Sequence, residues 1–302
     1  MLSVREIRKV MGLALAVCSA VVPLSGQGQP PTFRFHHVHL NTVDATKAID
    51  FYAANFNARR DLLGGKIPGV QAQGKWLLFN QVSTPPEWPV VSSLYHIGWG
   101  APDMKADYAR LVNRGVPFET PITDISKVIE AGSGRVFFAY VDGPDHAMIE
   151  INTARDDSFQ HVHFLSDDPV AAGQWYLKHF GATSANANPP REARTHNGLQ
   201  VYPFMGANLD GVQFWWYPKA FGSGSYPDAW KGRTTFASSR GRVIDHVAFS
   251  VINLEAALTR LEAMGVTVLQ RPRTTLDGQV RSAFIQAPDG VELELVEGHT
   301  NN

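Results

Sequence analysis

Cysteine is nearly absent from this chain of 302 residues, where Cys18 stands alone. No intrachain disulfide can form, and no zinc site built on several thiolates. Charge is sparse as well. Charged side chains make up 18% of the sequence and the formal net charge is −1. Nothing here offers the basic surface that nucleic acid or an anionic membrane attracts. Phosphate-cradling glycine loops and serine-nucleophile motifs are also missing. The apolar run from Val10 to Leu24 falls short of the about 20 residues that span a bilayer. What remains is the composition of a globular protein, 44% hydrophobic, with 11 histidines whose placement carries the signal.

The apolar run follows Arg5, Arg8 and Lys9 and precedes the polar stretch Ser25 to Gln29. A basic start, a short apolar stretch and a small polar exit make residues 1–29 a secretory signal peptide. An uncleaved anchor is one alternative, and a lipoprotein box at Leu15-Ala16-Val17-Cys18 is another. The expected protein is exported, periplasmic or secreted. Its mature form has neither cysteine nor membrane segment, which suits an oxidising compartment.

From Phe33 onward the chain repeats itself four times. Each repeat opens on a strand-like segment with a histidine before an aliphatic residue: His37-Val38, His96-Ile97, His161-Val162 and His246-Val247. Seven residues after each histidine stands a helix-capping side chain, Asp44, Asp103, Asp168 or Asn253. Apolar residues at spacings of three and four follow, as in Ala45, Ala48, Ile49, Tyr52 and Phe56, and predict one buried helical face. Asn57, Gly115, Gly181 and Gly265 stand where a left-handed residue would end each helix. Strand patterns come next. Three repeats close on a turn and a strand, at Asp145, at Asp210-Gly211 and at Asp289-Gly290. Each unit reads strand, helix, then about three strands. Such an open sheet needs a partner to cover its edges. Loops rich in Gly, Pro, Ser or Asn run from about Asn186 to Asn197 and from Phe221 to Gly241. They read equally as lids or as surface decoration.

The first-strand histidines, the helices ending in Gly-Val or Gly-Ala, and the closing Asp-x-x-x-x-Glu spacing together resemble the vicinal oxygen chelate superfamily, which includes glyoxalases, bleomycin-resistance proteins and extradiol dioxygenases. The resemblance covers residues 35–296. It implies an α+β fold of four βαβββ modules, paired into two cup-shaped, mostly antiparallel sheets with helices outside. The simplest pairing joins modules one and two in a domain over 33–153, and three and four in a domain over 158–298. Carried over residue by residue, the resemblance implies metal ligands His37, His96 and Glu150 in the first half. In the second half it implies His161, His246 and Glu294. Each glutamate stands five residues after its turn aspartate. The fourth ligand position is apolar in both remaining modules, Trp215 in module three and Leu78 in module one, with Asn80 and Gln81 as alternatives of register.

Two imidazoles and one carboxylate suit a divalent ion with open coordination positions, Fe(II) foremost, with Zn, Mn, Ni or Co also able to use them. A lone strand histidine is usually a hydrogen-bonded core residue. Four at equivalent positions, with two matched glutamates, point to ligands. His39 and His163 share a strand face with His37 and His161 and are candidate catalytic groups that orient substrate or move a proton. Tyr140 is a third, by resemblance to the hydrogen-bonding tyrosine of extradiol dioxygenases. Its counterpart in the last module is Phe284. Period-two alternation turns His36 to the opposite face. His146 reads as an exposed turn residue, and Arg271 and Arg273 as solvated arginines or anion contacts. The function implied is metal-dependent chemistry on a small oxygen-chelating molecule, with dioxygenase placed ahead of a glyoxalase-type lyase or isomerase. The competing function is binding or sequestration without turnover. Expected partners are a small molecule and neither nucleic acid nor membrane, and the sequence leaves oligomeric state open.

Overall fold

The computed structural model describes residues 33–126, 135–196, 199–275 and 280–298. The expected signal peptide at 1–29 lies outside the described residues. Module one contains β1 (Phe33–Thr42), α1 (Ala45–Asn55), β2 (Arg59–Leu63), β3 (Ile67–Ala72) and β4 (Lys75–Gln81). Module two contains β5 (Leu94–Ala101), α2 (Met104–Asn113), β6 (Phe118–Asp124), β7 (Phe137–Asp142) and β8 (Met148–Thr153). Module three contains β9 (Phe159–Ser166), α3 (Pro169–Phe180), β10 (Arg194–His196), β11 (Leu199–Val201), β12 (Met205–Leu209) and β13 (Val212–Pro218). Two short helices follow, α4 (Ala220–Ser225) and α5 (Pro227–Trp230). Module four contains β14 (Ile244–Val251), α6 (Leu254–Ala263), β15 (Val268–Thr275), β16 (Val280–Gln286) and β17 (Glu292–Glu297).

The capping logic holds at the start of the long helix in each of the four modules. Asp44, Asp103, Asp168 and Asn253 each accept a hydrogen bond from the backbone amide three residues on, at 2.9–3.1 Å. These bonds satisfy amides that a first helical turn leaves orphaned. Gly115, Gly181 and Gly265 take positive φ at the helix ends. The first repeat departs from the pattern. Its helix ends on Phe56 in extended conformation, and Asn57 instead donates its side-chain amide to Asp157 at 2.8 Å.

Apart from β10 and β11, which pair with each other, the described strands form two large sheets. One has eight strands in the order β15-β16-β17-β14-β1-β4-β3-β2, the other seven in the order β12-β13-β9-β5-β8-β7-β6. The architecture is thus the expected mixed α+β fold, but the pairing of modules is not the simplest one. Module one pairs with module four through antiparallel β1 and β14, and module two with module three through antiparallel β5 and β9. The halves 33–153 and 158–298 therefore do not each close a cup of their own. Chain connections account for this. Only residues 154–158 separate β8 from β9, enough to step past β5 and little more. Residues 82–93, with three prolines, separate module one from module two and let it reach the far end of the chain.

Alternation gives each sheet two faces. One carries Val38, Leu40, Ile97, Val162, Phe164, Val247 and Phe249 into a common core shared by the sheets. Phe35 contacts Phe159 and Phe214 across the sheets, at ring separations of 5.7 and 6.2 Å, and Phe180 meets Phe249 at 4.9 Å. Each such side chain contributes roughly 1.5–3 kcal/mol on burial. The opposite faces carry the histidines and glutamates.

Candidate metal centres

The new pairing regroups the six candidate ligands. They do not assemble as His37, His96 and Glu150, nor as His161, His246 and Glu294. Instead β1, β14 and β17 bring together His37, His246 and Glu294, while β5, β8 and β9 bring together His96, Glu150 and His161. The two clusters are pseudosymmetric. His39 lies opposite His246 and His37 opposite Ala248 in one sheet. In the other, His163 lies opposite His96 and His161 opposite Gly98. Glutamates stand beside Gly98 and Ala248 on the neighbouring parallel strands. The same register puts Leu78 beside His39 and Trp215 beside His163, so the fourth position is apolar in both.

The cluster between modules one and four is open. Glu294 Oε2 lies 3.2 Å from His37 Nε2 and 3.3 Å from His246 Nε2. His39 is only partly buried. Beside it opens a cleft of about 410 Å³, lined by His39, His246, Glu294, Asn41, Phe284 and Arg273, among others. Arg271 is turned away and pairs with Glu262. Burial disfavours charge on His246, but its hydrogen bonds to Asp245 and Glu294 more than offset this and raise its pKa. Burial likewise opposes charge on Glu294, and the bonds from His246 and His37 overcome it and hold the carboxyl well below its usual range. Asp245 is brought to about 2, its burial outweighed by bonds from His246, the Gly241 amide and Asn41. Burial first, then His246 and His37, lower His39 to about 3.

The cluster between modules two and three is closed. His96, Glu150, His161 and His163 are 0%, 1%, 1% and 2% exposed. Glu150 Oε2 lies 3.0 Å from His96 Nε2 and 3.9 Å from His161 Nε2. Asn152 donates to the other carboxylate oxygen at 3.1 Å. Burial pulls His96 down to about 3, and brings His161 to about 4 against the pull of Glu150. Burial raises Glu150 instead, opposed by His161. His163 is lowered by burial and by the other two imidazoles. Tyr140 lies beside this cluster, its ring 5.1 Å from that of His96 and its residue opposite Glu150 in the sheet. Burial, then Glu150, hold its phenol well above its usual range. The loop after module three lies over this cluster. Val90, Val91, Tyr95, Leu165, Tyr217 and Trp230 are buried together, with Phe221 and Tyr226 packed against them.

Alternation misassigns the residues that precede the ligand histidines. The ladders slip by one residue at His36, Tyr95, Gln160 and Asp245. Such β-bulges re-aim side chains. His36 therefore does not face away: its Nδ1 sits 2.7 Å from His37 Nδ1. Gln160 Oε1 lies 3.3 Å from His161 Nδ1, and Asp245 Oδ1 2.6 Å from His246 Nδ1. Partners at Nδ1 fix the imidazole and leave Nε2 to the cluster. Asp245 is itself held by Asn41 at 2.9 Å and by the Gly241 amide at 2.7 Å. The sequence signal for these residues was only their adjacency to the ligand candidates.

Both donor sets fit a divalent metal. The Nε2 atoms of His37, His96 and His161 are buried without a hydrogen-bond partner, although each has a carboxylate oxygen within 3.9 Å. Burying such groups unsatisfied is costly. A cation receiving their lone pairs removes the cost. His96, Glu150, His161 and His163 each offer an atom within 4.8 Å of the others, and so do His37, His39 and His246.

Comparison with known proteins agrees with the fold. A family profile described as "Glyoxalase/Bleomycin resistance protein/Dioxygenase superfamily" matches residues 34–151 and 158–295. Glyoxalase I from Zea mays is similar in structure at a TM-score of 0.62 and 16% identity, covering 89% of this chain and 93% of that one. A putative dioxygenase from Bacillus subtilis is similar at a TM-score of 0.54 and 13% identity, covering 89% and 86%. No curated protein matches the sequence.

Proposed function

This chain belongs to the glyoxalase/bleomycin resistance protein/dioxygenase superfamily, and from that premise we propose that it is a metal-dependent enzyme whose reaction takes place at His37, His246 and Glu294. The observation that carries the reading is the open cleft. Two imidazoles and one carboxylate meet there, the fourth position is apolar Leu78, and about 410 Å³ of space lies alongside. That volume lies in the range of small-molecule sites. Two histidines and one carboxylate with open positions favour Fe(II), and Zn, Mn, Ni or Co can use the same donors. When bound, the ion supplies Lewis acidity and, if iron, redox chemistry. The substrate class is a small molecule with two neighbouring oxygens. Dioxygenase chemistry ranks ahead of lyase or isomerase chemistry because of the donor set.

The protein's own groups act around that centre. Asp245 accepts from His246 Nδ1 and fixes the ring, with Asn41 and the Gly241 amide fixing Asp245 in turn. His39 borders the cleft, and burial with the neighbouring imidazoles disfavours its charged form, so its ring nitrogen can accept a hydrogen bond from a substrate hydroxyl and orient it. Phe284 and Leu78 supply apolar walls that keep water from part of the cleft.

Metal analysis of protein purified without chelator, followed by oxygen uptake with a panel of vicinal diols, tests this. Bound metal and uptake that vanish in Glu294→Ala support the reading. Metal with no turnover on diols or on 2-oxoaldehyde–thiol adducts, but with ligand binding, replaces it with a sequestration function. The reading also takes the protein to be exported, on the strength of residues 1–29. N-terminal sequencing of the mature protein tests that.

A further inference from the structure

We propose that His96, Glu150, His161 and His163 form a second metal centre, closed by four protein donors, that clamps modules two and three together and admits no substrate. The proposal rests on the metal-binding reading above but not on any reaction at the open cleft.

Donor count comes first. His96 and Glu150 come from β5 and β8 of module two, His161 and His163 from β9 of module three. Three imidazoles and one carboxylate are the number of protein ligands that a closed, structural zinc-type site uses. His163 is drawn further into its cluster than His39 is into the other. Its ring centre is 4.1 Å from that of His96 and 4.5 Å from that of His161. The matching distances for His39 are 4.8 Å to His246 and 5.5 Å to His37. His163 Nδ1 is buried without a hydrogen-bond partner, and so are both ring nitrogens of His96.

Space is the second argument. A Cβ built on Gly98 would stand 2.0 Å from His161 Nε2. The missing side chain gives the imidazole its seat. The equivalent position in the open cluster is Ala248, which keeps its methyl. Access is the third. Tyr217 lies over His163 at a ring separation of 5.0 Å, with Phe221 stacked on Tyr217 at 5.4 Å. Gly222 seats α4 against Leu165, where a Cβ would meet that side chain at 2.4 Å. Tyr226, between α4 and α5, bonds to Glu119 on β6. No donor of this cluster is more than 2% exposed, and these side chains cover it.

The test is a matched pair of variants, His163→Ala and His39→Ala, in the full chain loaded with Co(II). Metal equivalents, the Co(II) ligand-field spectrum and thermal unfolding with and without metal are read together. His163→Ala should change the spectrum of one equivalent and release that ion to chelator at least about tenfold faster. It should also lose most of the metal-dependent rise in Tm, with the metal-free Tm kept. His39→Ala should leave the metal-dependent rise in Tm as it is. Glu150→Gln, which keeps the side-chain volume, should repeat the loss if His163→Ala fails to fold. An unchanged spectrum and release rate in both His163→Ala and Glu150→Gln overturns the proposal. So does a wild-type protein that holds a single, readily exchanged ion, which would leave the open-cleft reading standing. A protein that takes up no ion overturns both.

Discussion

The two clusters are copies of one arrangement, and their differences are physical rather than topological. Both draw histidines from paired first strands and a glutamate from a last strand. One opens on a cleft, and the other lies under aromatic side chains. Their carboxylates move in opposite directions: Glu294 is held well below its usual range, whereas Glu150 is raised. The residue before the ligand histidine accounts for much of this. Asp245 precedes His246 and shares its proton, with Glu294 on the other side of the ring. Tyr95 precedes His96 and leaves its Nδ1 without a partner. One duplicated scaffold thus holds two sets of candidate ligands, one beside a cleft with its carboxyl held low and one enclosed with its carboxyl raised.

The comparison breaks most sharply at the glutamates. Glu294→Ala should abolish the reaction at the open cleft, by at least about a hundredfold, and remove the rapidly exchanging ion. Lewis-acid stabilisation supplies several kcal/mol, and each 1.4 kcal/mol is about tenfold. Steady-state kinetics and metal content check it. Next is Asp245→Asn, which leaves the ligands in place but removes the charged acceptor at His246 Nδ1. Affinity for the open-site ion should fall about 10–100-fold, measured by competition with a chromogenic chelator. The closed site should be indifferent to this change.

Smaller effects sharpen the contrast at the paired glycine and alanine. Gly98→Ala drives a methyl into His161 and should cost about 1–3 kcal/mol by overpacking, together with the slowly exchanging ion. Denaturant titration with metal analysis reads both. Ala248→Gly, its counterpart, should cost only about 0.5–1 kcal/mol, the ordinary effect of glycine in a strand, and should leave both ions bound. Equal effects from the two substitutions would remove the distinction drawn between the seats of His161 and His37.

Much of this was legible in the sequence because short-range rules govern it. Helix caps at Asp44, Asp103, Asp168 and Asn253 and the apolar strand faces follow from local spacing, whereas the apolar fourth positions at Leu78 and Trp215 are what the family resemblance implies. The six ligand candidates came from the family resemblance that these spacings carry. Their grouping was not legible, because the open edges of β1, β5, β9 and β14 carry nearly the same pattern. What chooses between partners is the length of chain between modules. The bulges were hidden as well. A one-residue slip leaves no mark in period-two alternation, so His36 read as facing away although it holds His37. The covering loop after module three read equally as lid or decoration, since its aromatic residues reveal their partners only in three dimensions.

The most direct test of two unlike sites is the time course of metal release from the fully loaded wild-type chain into excess chromogenic chelator. The account predicts two phases of one equivalent each, a fast phase that leaves Tm nearly unchanged and a slow phase that tracks a fall in Tm. A single phase carrying both equivalents, or two phases with no link between the slow one and stability, would contradict it.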